Sequence, residues 1–269
     1  MTDRSICGSD HEWLEGAGMQ GRIIAITGAT AGYGERMARD FARQGARLIL
    51  IGRRQDRLDA LAQEIGEELV FKICCDIREA ASFAELLKAL PPSFSAVDVL
   101  INNAGVGLGR DLAQEADLND WLGMVQTNIT GLLAGTHALL PGMVERNRGH
   151  IVNIGSVAAG FPTPRNAIYA ACKAFVRQFS FCLRADLLGT MVRVTDVEPG
   201  QGGGTEFTVV RSGGDEEHAR GLYGANRLIE PADVAETVEW VLSRPAHVNV
   251  NLIQIMSIDQ AFGPPAFAS

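Results

Sequence analysis

Residues Ile23-Ile-Ala-Ile-Thr-Gly28-Ala-Thr-Ala-Gly32-Tyr-Gly34 decide the fold. The run from Ile23 to Ile26 carries no polar side chain, as expected of a strand buried on both faces of a parallel sheet. It passes directly into glycines at Gly-x-x-x-Gly-x-Gly spacing. Beyond them, Met37, Ala38, Phe41 and Ala42 fall on one face of a helix that Gly45 stops. Glycines allow the tight turn and let a pyrophosphate reach backbone N–H groups at the helix N-terminus. Gly28, Thr30, Ala31, Gly32, Tyr33 and Gly34 are therefore the expected contacts of a dinucleotide.

The same alternation continues along the chain. Further strands are predicted at 47–51, 70–74, 97–101, 151–154, 192–197 and 251–256, and helices at 34–44, 54–65, 79–90, 121–143 and 168–188. A last helix starts at Pro231 and places Val234, Val238, Val241 and Leu242 at helical spacing. This is an α/β pattern with a doubly wound parallel sheet of seven strands. No repeat or low-complexity linker divides the chain, so residues 21–269 read as one domain. Residues 201–229 are glycine-rich and polar with no strong period, and are expected to form a substrate lid. Residues 1–20 mix charges, lack an apolar signal core and read as a mobile N-terminal tail.

Composition narrows the function. A net charge of −8 offers neither a basic face for nucleic acid nor a polybasic membrane patch. No apolar run approaches the roughly 20 residues of a membrane span. The five cysteines are scattered without a Cys-x-x-Cys pair, which fits free thiols in a reducing cytoplasm. His11, His137, His150, His218 and His247 form no metal pattern, and surface or capping roles are expected for them. The expected partner is a small-molecule substrate.

A second motif supplies chemistry. In Tyr169-Ala-Ala-Cys-Lys173 a phenol and an ammonium lie one helical turn apart on one face. A cation beside a phenol favours the phenolate, which makes Tyr169 a candidate acid/base at a carbonyl or hydroxyl oxygen. Ser156 follows the strand 151–154, and its hydroxyl is placed to stabilise a developing alkoxide. Arg53 and Arg54 follow the second strand, where an acidic residue would accept from a ribose 2′-hydroxyl. Here Leu48-Ile-Leu-Ile-Gly52 holds no acid and two guanidinium forks follow, so NADP is expected rather than NAD.

Together these motifs resemble the short-chain dehydrogenase/reductase family, over roughly residues 21–262. The family's ordered pattern is matched by Thr27 to Gly34, Asn102-Asn-Ala-Gly105, Asn128, Ser156, Tyr169 with Lys173, and Pro199-Gly200. Within the family, Gly52-Arg-Arg-Gln-Asp-Arg-Leu58, Leu140-Pro-Gly-Met-Val-Glu-Arg146, Gly204-Thr-Glu-Phe207 and Pro245-Ala-His-Val-Asn249 are similar to the NADP-dependent 3-hydroxy acid dehydrogenases, also called serine 3-dehydrogenases or malonic semialdehyde reductases. The resemblance implies a Rossmann fold with strand order 3-2-1-4-5-6-7. It implies that Asn128, Ser156, Tyr169 and Lys173 are catalytic, with Asn128 in a water relay. It places Asp76 and Ile77 at the adenine, and Asn103, Ala104, Gly105, Pro199, Gly200 and Thr205 along the cofactor, with Lys173 on the nicotinamide ribose. It also implies a homotetramer built through helices 121–143 and 168–188, where Phe175, Phe179 and Leu183 exceed what one sheet face needs.

The chain departs from the pattern at Cys172, beside the lysine, and at Gln201-Gly-Gly-Gly204, which alters the nicotinamide pocket. The expected reaction moves a hydride between NADP and a small 3-hydroxy or 3-oxo acid. A broad carbonyl or sugar-alcohol reductase and a catalytically silent NADP-binding sensor are the alternatives. A carboxylate substrate needs charge-assisted donors, and Arg165 and Arg211 are the candidates.

Overall fold

Strand β1 (Ile23–Thr27) is buried along its whole length, and its side chains alternate between two hydrophobic layers. The computed structural model describes residues 18–221 and 226–263. Ile24 and Ile26 point into one layer with Leu48 and Leu50 of β2 (Arg47–Gly52), Ile101 of β4 (Val99–Asn102), Val152 of β5 (Gly149–Ile154) and Val197 of β6 (Val192–Pro199). That layer is covered by α1 (Gly32–Arg43), α2 (Gln55–Ile65) and α9 (Pro231–Leu242) through Met37, Phe41, Leu58, Leu61, Val238 and Leu242. Ala25, Ile49, Ile51, Leu100, Ile151 and Val194 point the other way. There they meet α3 (Ala80–Lys88), α5 (Gly131–Glu145) and α6 (Ala167–Asp186).

With β3 (Val70–Cys74) and β7 (Leu252–Ile255) the strands form a seven-stranded sheet of order β3-β2-β1-β4-β5-β6-β7, every pair parallel. Strand addition reverses between β1 and β4, so the chain leaves a cleft at their C-terminal ends, where ligands bind in this architecture. Thr27 holds the two edges of that cleft together: its hydroxyl accepts from the Asn103 and Ala104 N–H groups, both at 3.0 Å. Among the described residues no helix is long and apolar enough to cross a membrane.

Several expectations need correction. Residues 1–17 of the expected tail, with Cys7 and His11, lie outside the described residues. Met19, however, is buried in the first layer, so the core begins before residue 21. The helical region from Leu118 is not uniform: α4 (Leu118–Val125) and α5 are joined by a π-turn over Gln126–Thr130. β5 starts two residues earlier than predicted and carries His150 into the core. That histidine is not at the surface: it sits on the Thr195 hydroxyl at 2.8 Å, and burial pushes its pKa well down. Leu183 belongs to the second layer of this chain's own core, and Phe179 packs against it. The large apolar residues left exposed on these helices are Leu118, Leu122, Leu133, Val144, Phe175 and Phe181. Within 201–229 the chain forms α7 (Phe207–Arg211) and α8 (Glu216–Gly221), with a parallel bridge between Gly202 and Ile229. A helix of one turn is too short to write a period into the sequence. Residues 222–225 and 264–269 lie outside the described residues.

Candidate active site

The cleft above β1 and β4 gathers most of the predicted residues along one wall or the other. At one end lie Thr30, Ala31, Gly32 and Tyr33 of the glycine turn, with Arg53, Arg54, Asp76 and Ile77. In the middle are Gly28, Asn103, Ala104 and Gly105, and at the far end Ser156, Tyr169, Lys173, Pro199, Gly200 and Arg211, while Thr205 lies over Gly32 of the glycine turn. Gly28 has φ +68 and Gly32 φ +54, conformations a side chain would strain, and a Cβ on Gly32 would lie 3.1 Å from the Thr205 methyl. Gly34 does not line the cleft. A Cβ there would strike the Gly28 carbonyl and the Asn103 amide, so this glycine serves the close packing of α1 on the turn.

Asn102 and Asn103 divide the work between sheet and cleft. The Asn102 amide donates to Asn153 Oδ1 at 2.8 Å and Thr136 at 3.1 Å inside the core. The Asn103 amide donates to the Thr27 carbonyl at 2.9 Å, so its side chain braces the turn while its backbone borders the cleft. Asp76 accepts from both Nε and the terminal nitrogen of Arg78 and from the Arg78 N–H, and the Arg78 side chain holds its pKa below the usual range. Arg53 is largely exposed, 3.9 Å from Asp76. Arg54 donates to the Thr30 carbonyl and hydroxyl, each at 3.1 Å.

The far end is built from β5, α6 and the π-turn. Ser156 caps a short turn, its hydroxyl accepting from the Ala158 N–H at 3.2 Å. Lys173, 5% exposed, donates to the Ile154 carbonyl at 2.7 Å and stands 5.8 Å from the Tyr169 ring centroid. Burial lowers its pKa to about 8 against the opposing pull of Asp196, Cys172 and Glu198. Asn128 is buried at the π-turn. Its Oδ1 accepts from the Val106 N–H and its amide donates to the Val106 carbonyl, so the extra residue in the helix carries a side chain that mimics a backbone pair. Cys172 is buried, and burial raises its pKa, which makes it an unreactive packing residue.

Charge continues behind this floor. A side chain on Gly155 would run into Asp196 and Glu198 of β6. Glu198 makes a bidentate pair with Arg177 of α6, both bonds 2.6 Å, and accepts from Gln254. Asp196 is fully buried and, among the described residues, no donor reaches either oxygen. Burial first, then the charge of Glu198, push its carboxyl up to about 8. A protonated Asp196 has a proton to donate to Glu198, which a bare carboxylate has not.

The two substrate arginines separate. Arg165 adopts φ +61, donates to the Arg110 carbonyl at 3.2 Å and does not line the cleft. Arg211, from α7, lines the cleft: it donates to Asn166 Oδ1 at 2.9 Å and lies 5.8 Å over the Tyr169 ring. Phe207, one turn earlier, approaches the same ring at 5.4 Å. Phe207, Asn166 and Glu206 line the cleft, Arg57 pairs with Glu206, and the sequence reading missed all four. Arg57 was findable as the third cation of Arg53-Arg54-x-x-Arg57, one helical turn from Arg54. Glu206 offered no signal, because its partners lie on α2.

Comparison with known proteins agrees with this geometry. Residues 22–212 match the family model described as short chain dehydrogenase. The NADP-dependent 3-hydroxy acid dehydrogenase of Salmonella typhi is 50% identical over 240 residues, 89% of this chain and 96% of that protein. Sulfoacetaldehyde reductase 2 of Chromohalobacter salexigens is 46% identical over 248 residues, 91% of this chain and 97% of the relative. Among solved structures, the closed form of a serine dehydrogenase complexed with NADP+ superposes with a TM-score of 0.87 at 48% identity, covering 89% of this chain and 96% of the other.

Proposed function

The chain belongs to the short chain dehydrogenase family, and from that we infer that it is an NADP-dependent oxidoreductase acting on a small 3-hydroxy acid or the matching 3-oxo acid. The observation that carries the reading is the meeting of Ser156, Tyr169, Lys173 and Arg211 at one end of a cleft whose other end holds Arg53 and Arg54. The cleft suits the cofactor: Gly28 and Gly32 of the glycine turn line it, and Arg53 and Arg54 offer guanidinium forks beside a β2 that carries no acid. Arg53 and Arg54 would hold the 2′-phosphate, Asp76 and Ile77 the adenine, and Lys173 the nicotinamide ribose.

The bound cofactor supplies the hydride. The protein orients the substrate and handles the proton. Ser156 donates to the reacting oxygen and stabilises its developing charge. Tyr169 gives a proton to that oxygen in reduction and takes it in oxidation. Lys173, fixed on the Ile154 carbonyl and 5.8 Å from the Tyr169 ring centroid, favours the phenolate form when charged. Asn128, bonded to both backbone groups of Val106, takes the place the water relay requires. Arg211 clamps the carboxylate, and the sulfonate named for one relative's substrate class is an anion of the same reach. We give Arg165 no part in the clamp, because its side chain donates to the Arg110 carbonyl.

We further propose a single domain closed by the 201–229 lid, working in the cytoplasm as a homotetramer. The exposed apolar side chains on α4, α5 and α6 support two-fold packing of those helices. A panel of 3-hydroxy acids, polyols and neutral aldehydes assayed with both cofactors tests the function. Preference for the acids is expected. Equal rates on neutral carbonyls, with no advantage for acids, would replace it with a broad carbonyl reductase.

A further inference from the structure

Arg54, the residue that caps α2, lines the phosphate end of the cleft, and Arg57 lies one turn on, 3.4 Å from the Thr30 carbonyl; both hold a carboxylate from the lid. Glu206 Oε2 accepts from Arg54 at 2.8 Å and Glu206 Oε1 from Arg57 at 2.7 Å. Arg54 is anchored independently on Thr30 of the glycine turn, so its fork is oriented whether or not Glu206 is present. The nearest acid on the adjoining strand end, Asp76, is engaged by Arg78. Burial pushes the Glu206 carboxyl up, but its bonds to the two arginines outweigh this and keep it charged. All three side chains remain accessible, at 37–44% exposure, so water and salt screen the bridge and another anion can exchange into it.

We propose that Glu206 is a built-in stand-in for the cofactor 2′-phosphate, which latches the lid to Arg54 and Arg57 until the phosphate displaces it. The inference rests on the NADP reading above. A phosphate brings more charge and more acceptor oxygens to a guanidinium fork than a carboxylate does. Glu206 immediately precedes α7, whose first residue is Phe207 and whose last is Arg211, and both of these stand over Tyr169. Thr205, on the other side, seats against Gly32 of the glycine turn. Releasing Glu206 therefore frees the one-turn helix that roofs the reacting end. Only the phosphorylated cofactor would do this, which makes Glu206 and Arg57 specificity-determining residues outside the reacting centre.

The test is amide hydrogen exchange over residues 205–211 of the full chain, with saturating adenosine 2′,5′-bisphosphate or adenosine 5′-monophosphate. Neither ligand carries a nicotinamide to close the lid by itself. The bisphosphate should speed exchange in 205–211 and the monophosphate should not. In Glu206→Gln the segment should exchange fast without ligand, and the bisphosphate should bind roughly three-fold tighter, as expected for loss of an exposed competing ion pair. Unchanged or slower exchange with a bisphosphate that binds more tightly than the monophosphate would overturn the latch, as would weaker bisphosphate binding by Glu206→Gln. Equal binding of the two nucleotides by the unaltered protein would instead overturn the NADP reading beneath it.

Discussion

Lys173 on the floor of the cleft is 5% exposed and bonded to a strand carbonyl, whereas Glu206 in the lid is 44% exposed and bonded to two arginines of another element. The floor stands on β5, β6 and the long helix α6, elements whose positions are set by core packing. Lys173 and Asp196 there are buried, and burial shifts their pKa values. The proposed lid contains, among the described residues, helices of five and six residues. Groups that move protons need a fixed geometry and a low dielectric, while groups that recognise charge must let a ligand in. Altering the floor should therefore change turnover, and altering the lid should change affinity and selectivity.

The largest effect is expected from Tyr169→Phe. Loss of a general acid typically costs on the order of a hundred- to ten-thousand-fold in rate, and kcat should fall within that range. Cofactor affinity, measured by fluorescence titration, should stay near normal because the rest of the cleft is intact. Near-normal kcat would remove Tyr169 from the chemistry and with it the division between floor and lid.

Arg211→Ala addresses the lid. It should raise KM for 3-hydroxy acids by roughly ten-fold or more, the usual cost of a hydrogen bond to a charged group, and change KM for neutral alcohols little. Steady-state kinetics on one acid and one alcohol decide this, and a uniform effect on both would mean that Arg211 only supports the wall around Tyr169. Arg54→Ala should narrow the preference for NADP over NAD by about ten-fold, since it removes a charge-assisted bond to the phosphate. An unchanged ratio of kcat/KM would move phosphate recognition to Arg53 alone.

A smaller effect belongs to the buried acid behind the floor. An unfolded Asp titrates near pH 4, whereas folded Asp196 keeps its proton to about 8. Between those values the folded state binds more protons than the unfolded state, so stability falls as pH rises. Lys173, lowered to about 8, has its own window above that, where stability rises with pH. Thermal melts from pH 5 to about 8 should therefore slope downward in the unaltered protein and more shallowly in Asp196→Asn. Parallel slopes would show that Asp196 is ionised in the folded state.

The floor was legible in the sequence because its elements are long. Strand residues such as Ile23 to Ile26 and helix positions such as Val234, Val238 and Val241 repeat often enough to reveal a period, and Tyr169 and Lys173 share a helix face. Asn128 was recognised only through the family pattern, since nothing local announces a π-turn. Residues 201–229 stood out by their glycines and were expected to form a lid, but the structure within them was not legible. One-turn helices carry no period, and the bridge from Glu206 to Arg54 and Arg57 joins residues far apart in the chain. Sequence proximity also misled: Arg165 stands four residues before Tyr169 but, on a left-handed backbone, does not line the cleft, while distant Arg211 reaches the ring. Leu183 looked like interface because the counting of apolar residues on α6 ignored how deeply the second core layer extends.

The measurement that tests the account most directly is the oxidation of 3-hydroxypropanoate by the unaltered protein with NADP+ and with NAD+, followed by formation of the reduced nicotinamide. The account predicts turnover with a kcat/KM at least about ten-fold higher for NADP+, as paired arginines and a missing acid at the 2′ position require. Equal kcat/KM with the two cofactors, or no oxidation of the acid under conditions where a neutral alcohol is oxidised, would contradict it.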